Sequence, residues 1–91
     1  MKEVIAIFED NHGFIGLAAD ALSAARWLVK SEWLTELDDI HEYSAGTTNT
    51  ISAIMEKHGY IQLEDFLVDF IDSRYHNDYG LPFHFSVETI H

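Results

Sequence analysis

The chain has 91 residues, enough for one compact domain spanning 1–91 and too few for two. Five Lys and Arg stand against 16 Asp and Glu, a net charge of −11, and no cysteine is present. These counts exclude disulfides, thiolate catalysis and cysteine-ligated zinc, disfavour direct binding to nucleic acid or an anionic membrane, and favour basic partners or cations.

A content of 47% hydrophobic and 13% aromatic residues is that of a folded globule. The opening "MKEVIAIFED" has a short apolar run ending in acids, unlike a signal peptide. No run approaches the ~20 apolar residues of a membrane span. The expected location is the cytoplasm, that of a bacterial host if the chain is phage-encoded.

"EVIAIFE" is rich in Val, Ile and Phe and predicts a strand, apolar on both faces and therefore central. "DNHG" is a turn, and "FIGLAA" a second strand that completes an antiparallel hairpin. Gly16 inside it marks a bulge or a close backbone approach. Asp20 is placed to cap a helix over "ALSAARWLVKSEWL", with Leu22, Ala25, Val29 and Trp33 as its core face. Trp27 and Leu34 lie on another side. They either pack under a neighbouring element or form an exposed patch that meets a partner.

"TELDDIHEYSAGTTNT" is the least regular stretch, and its second half reads as a loop. "NTISAIMEKHG" predicts a short helix, capped by Thr48, Asn49 or Thr50 and ended by Gly59, with Ile51, Ile54 and Met55 buried. A third helix runs from about Leu63 to Tyr75. "FHFSVETI" alternates Phe83, Phe85 and Val87 against His84, Ser86 and Glu88, a strand with one wet face. The expected fold is α+β: a small antiparallel sheet, made of the N-terminal hairpin and the C-terminal strand, packed against about three helices.

Within "LEDFLVDFIDSRYH" an apolar arc of Leu63, Phe66, Leu67, Phe70 and Ile71 stands beside a polar arc of Asp65, Asp69, Asp72 and His76. At a rise of 1.5 Å per residue, side chains three or four apart repeat about every 5–6 Å. That is near the spacing of phosphates along one nucleic-acid strand, so an acidic helix face can occupy a basic groove in competition with DNA or RNA. The same stripe also fits an ordinary solvated face. A second acidic cluster, Glu36, Asp38, Asp39 and Glu42, with Glu32 upstream, can extend the surface.

Asp72 and His76, four apart, can share a cation such as zinc. His84, or Asp78, would complete the set if the turn folds back. The spacing matches neither HExxH nor a finger pattern, and an Asp/His ion pair explains it as well. Of the other histidines, His12 is expected in solvent, His41 among acids and His58 at a helix C-terminus. No GxSxG and no phosphate-binding loop is present, so an enzyme is not expected.

The pieces "EDNHGFIG", "AADALSAA" and "SEWL" resemble the hairpin-then-helix start of small acidic proteins encoded by phages and prophages of Gram-positive bacteria. In size, acidity and lack of cysteine the whole chain resembles the anti-CRISPR inhibitors of CRISPR nucleases, some of which block Cas9 as DNA mimics. That resemblance is of class, and no residue carries over by position. It implies a non-enzymatic inhibitor that binds the basic surface of Cas9 or another nucleic-acid-binding protein. The candidate contacts are Asp65, Asp69 and Asp72, with Glu36, Asp38, Asp39, Glu42 and Trp27. The alternatives are a small zinc-type protein built on Asp72, His76 and His84, or a homo-oligomeric scaffold using Trp27 and Leu34.

Overall fold

The computed structural model describes residues 2–35 and 39–90. In chain order these form β1 (Lys2–Glu9), β2 (Gly13–Ala18), α1 (Ala21–Lys30), α2 (Glu32–Thr35), β3 (Asp39–Glu42), β4 (Thr47–Thr50), α3 (Ile51–His58), α4 (Leu63–Ile71), β5 (Tyr79–Gly80) and β6 (Phe83–Ile90). The fold is α+β. The hairpin and the C-terminal strand form the expected antiparallel sheet in the order β2–β1–β6, with β1 central.

A second antiparallel sheet, β4–β3–β5, was not expected. The irregular stretch, whose second half reads as a loop, contains a hairpin that pairs Asp39 with Thr50 through to Glu42 with Thr47. Its strand signal is weak because β4 is "TTNT", exposed at all four residues, with no apolar face to betray it. Its partner β5 has two residues and lies far along the chain.

The first helix is also shorter than expected. Asp20 caps it, its carboxylate accepting from the Ser23 amide at 2.8 Å. Ser31 ends it: the backbone turns extended, and the Ser31 hydroxyl and amide both donate to the Leu28 carbonyl. The core face is Ala24, Ala25 and Leu28, each fully buried, whereas Leu22 and Val29 stay more than a third exposed. α1 packs against α4, and the alanine face wins because small side chains let two helices approach closely. Leu34 is buried beside them, and Trp33 is packed partly into the core.

α3 begins at Thr50, whose hydroxyl accepts from the Ala53 amide, and ends at left-handed Gly59. α4 ends at Ile71, four residues before the expected end. Asp72 is its C-cap, Ser73 takes a left-handed φ of 71°, and the Arg74 amide returns to the Asp69 carbonyl. One continuous core runs from Ile7 through Leu28, Ile40, Ile54, Phe66 and Phe70 to Phe83.

Pairing register assigns the faces of the first sheet. Ile7, Gly16 and Phe85 share one row facing the core, and Phe8 pairs with Phe14 on the other face, where Phe14 and Leu17 are exposed. Val87 belongs to the core-facing row, shares a surface cavity with Ile5 and with Asp20 and Ala21 at the start of α1, and is 66% exposed.

Gly16 is a close approach. A Cβ there would stand 3.1 Å from Cζ2 of Trp27, whose indole lies over the strand. Gly16→Val is therefore expected to push the indole outward, at about 1–3 kcal/mol for an overpacked contact. In a Trp33→Phe background this reads as a red-shifted Trp27 emission and a lower urea midpoint. An unchanged spectrum would contradict the packing.

Candidate interaction surface

The stripe on α4 is only partly assembled. Asp65 is exposed on the helix and Asp72 is exposed at its cap. Asp69 is turned to internal use: its carboxylate accepts from the Tyr60 hydroxyl and pairs with Arg74 Nη1 at 3.6 Å. The Tyr60 hydroxyl also meets that of Tyr75 at 2.9 Å. Burial first, then the Asp69 carboxylate, pushes the Tyr60 phenol well above its usual range. His76 lies outside the helix, its ring 4.9 Å from that of Phe70, because the chain turns at Ser73 instead of adding another helical turn.

Of the second cluster, Glu36 and Asp38 lie outside the described residues, and Asp39 is exposed at the start of β3. Glu42 is not a surface acid. Only 6% exposed, it accepts from Asn49 Nδ2 at 2.7 Å and pairs with Lys57 Nζ at 3.4 Å. Trp27 is half-buried over Gly16, and Leu34 is buried, so neither forms the open apolar patch that one reading required.

The candidate metal ligands are also spread out. His84 Nε2 pairs with Asp10 Oδ1 at 2.6 Å, and His76 sits against Phe70. Among the described residues no group of three or more His, Asp or Glu could hold a metal ion, so Asp72, His76 and His84, with or without Asp78, gain no geometric support as a centre. His12 is not simply solvated: its Nδ1 lies 2.5 Å from Glu9 and its ring 4.8 Å from that of Trp33. His58, at the end of α3, meets the Tyr79 hydroxyl at 2.6 Å.

A groove beside β3 and β5 went unseen in the sequence. One cavity of about 420 Å³ is lined by Asp10, Asp39, His41, Tyr43, Thr48 and the Gly80–Pro82 turn. A second, of about 250 Å³, shares Tyr43, Gly80 and Leu81 and adds Phe70, His76 and Phe83 to Phe85. Tyr43 is 56% exposed and lies across Gly80, where its hydroxyl occupies space that a Cβ would need. A half-exposed aromatic ring that shares a cavity with the exposed carboxylate of Asp39, and with Asp10, whose carboxylate pairs with His84, suits a cationic side chain, and most of all a guanidinium. The sequence signal was the pairing of "DIHE" with "TTNT" around "YSAG", which brings His41 and Tyr43 to this rim.

The buried carboxylates make folding pH-dependent. The Asn49 amide, and then Lys57, hold Glu42 below the ordinary 4.5, and His12 does the same for Glu9. A depressed carboxylate contributes stability that is present at neutral pH and lost as pH falls through its lowered value. Stability followed by far-UV circular dichroism is expected to fall steeply below pH 4.5. Glu42→Gln is expected to be less stable at pH 7 and to lose less on acidification. Parallel curves for the two proteins would refute the role of Glu42.

Fold and surface define a small acidic α+β protein with two three-stranded antiparallel sheets and a polar–aromatic groove. Comparison with models of protein families, with curated proteins and with solved structures finds no match for this chain. No helix among the described residues is long and apolar enough to cross a membrane.

Proposed function

We propose that this chain is a non-enzymatic inhibitor that binds the basic surface of a nucleic-acid-handling protein, a CRISPR nuclease foremost, in competition with DNA or RNA. One observation carries the reading: most of the few cations, three of five, are engaged by the chain's own carboxylates, while several acids are left to solvent. Of five Lys and Arg, Arg26 pairs with Glu64, Lys57 with Glu42 and Arg74 with Asp69. Asp39, Asp65 and Asp72 are exposed and make no ion pair among the described residues. A surface meant only for solvation usually mixes both signs. Here the excess faces outward, and Tyr43, in the same cavity as Asp39, adds an aromatic platform for a partner's arginine.

The test is capture of a guide-loaded CRISPR nuclease by the immobilised chain at low and high salt, with and without target DNA. Capture that is lost on adding DNA and weakened by salt supports the competitor. Capture indifferent to both removes the acidic surface from the interface. No capture, and no inhibition of cleavage, rejects this partner.

A further inference from the structure

β6 is the terminal strand of its sheet, and its eight residues pair with β1 along one edge. The cavity of about 250 Å³ touches Phe83, His84 and Phe85, three successive residues. Successive strand side chains point to opposite faces, so a cavity that meets all three lies along an edge. β1 fills the inner edge, which places this cavity on the outer one, with Tyr43, Phe70 and His76 on its far wall. Beyond it Val87, Glu88, Thr89 and Ile90 are all exposed. A long open edge carrying exposed apolar side chains is a template for another strand.

We infer that a second copy of this chain adds its own β6 antiparallel to this edge, with the two-fold axis at Ser86, giving a continuous six-stranded sheet. Charge complementarity selects both the occupant and the register. His84 and Glu88 are the only ionisable residues of β6, and they lie symmetrically about Ser86. An axis there sets His84 of each copy opposite Glu88 of the other. An axis at residue 84 or 88 would oppose two like side chains, and one at 85 or 87 would leave the charges unmatched. His84 Nε2 pairs with Asp10 Oδ1 and Glu88 Oε1 accepts from the Ser86 hydroxyl at 2.8 Å, so the contact across the axis is made by a protonated His84 donating from Nδ1 to Oε2 of the second copy's Glu88. On the core-facing row the same register sets Val87 against Phe85 and Thr89 against Phe83, an aromatic–β-branched arrangement that favours pairing. Those two side chains arrive at the open cavity. The charge of −11 on each copy opposes association, so salt tightens this contact, whereas it weakens the binding of a basic partner.

Because the chain has no cysteine, Ser86→Cys introduces a single thiol. On the two-fold axis the two thiols would face each other with Cα atoms about 4.5–5.5 Å apart, within disulfide range. At micromolar protein, Ser86→Cys is expected to oxidise to a covalent dimer about a hundredfold faster than Glu56→Cys, whose exposed thiol on α3 meets another by diffusion alone. Sedimentation equilibrium of the unaltered chain is expected to show a dimer that tightens with salt and is weakened by Val87→Lys. A dimer in which Ser86→Cys oxidises no faster than Glu56→Cys puts the contact elsewhere and overturns the proposal. A monomer at every concentration and salt also overturns it, and leaves the edge to a strand of another protein.

Discussion

Phe66→Ala is expected to cost about 3–5 kcal/mol, the usual range for emptying a buried phenylalanine site. Phe66 is fully buried, and its ring is met by those of Tyr75 at 5.8 Å, Tyr60 at 5.5 Å and Phe70 at 6.2 Å. It therefore joins α4 to the segments on both sides of it. Removing it opens a cavity and also loosens the ring that aims the Tyr60 hydroxyl at Asp69. A small domain has a total stability of about 5–15 kcal/mol, so the loss is a large share of it. Ile61 is the control. It is equally apolar and nearby in sequence but 89% exposed, so Ile61→Ala should stay within about 0.5 kcal/mol. Urea unfolding checks both: the midpoint should drop for Phe66→Ala with an unchanged slope. A loss under about 1 kcal/mol would mean that Phe66 is not the centre of the core.

What the sequence revealed, and what it hid, follows from the range of each signal. Asp20 and Gly59 act within one helical turn of themselves and their caps were readable from local spacing alone, which also narrowed the start of α3 to Thr48, Asn49 or Thr50, the last of which caps it. The strand alternation in "FHFSVETI" was equally local, and β6 pairs with β1 as expected. Which face of α1 is buried was not local. Leu22 and Val29 are the more apolar, but α4 selects Ala24, Ala25 and Leu28 because they permit a close approach. The stripe on α4 failed for a similar reason. A wheel extrapolates a helix through Asp72 and His76, whereas the chain turns at Ser73 and spends Asp69 on Tyr60 and Arg74. Glu42 was placed on the surface by its neighbours in sequence, but Asn49 and Lys57, distant along the chain, hold it inside. The groove around Tyr43 needs β5 beside β3, a pairing between segments almost forty residues apart.

Reversing Asp39, Asp65 and Asp72 together to lysine is expected to slow association with the basic partner about 10- to 1,000-fold, the range over which charge steers encounter. These three acids are exposed and, among the described residues, carry no internal bond through their carboxylates, so the fold should tolerate the change. Asp69 and Glu42 are left in place. Reversing either would strand Tyr60 or Lys57 and confuse misfolding with lost binding. Each reversal adds two units of charge, so the net charge moves from −11 to −5. A matched control separates site from total charge. Glu3, Glu56 and Asp78 are also exposed, and reversing them gives the same −5. Association rates measured at two salt concentrations should fall sharply for the first variant and mildly for the second. The salt dependence of the first variant should flatten as well, since steering charge has gone from the contact itself. Equal losses in the two variants would mean that only the overall field matters, with no acidic contact surface at these positions. Unchanged rates in both would reject acidic recognition, the groove that Asp39 and Tyr43 line included.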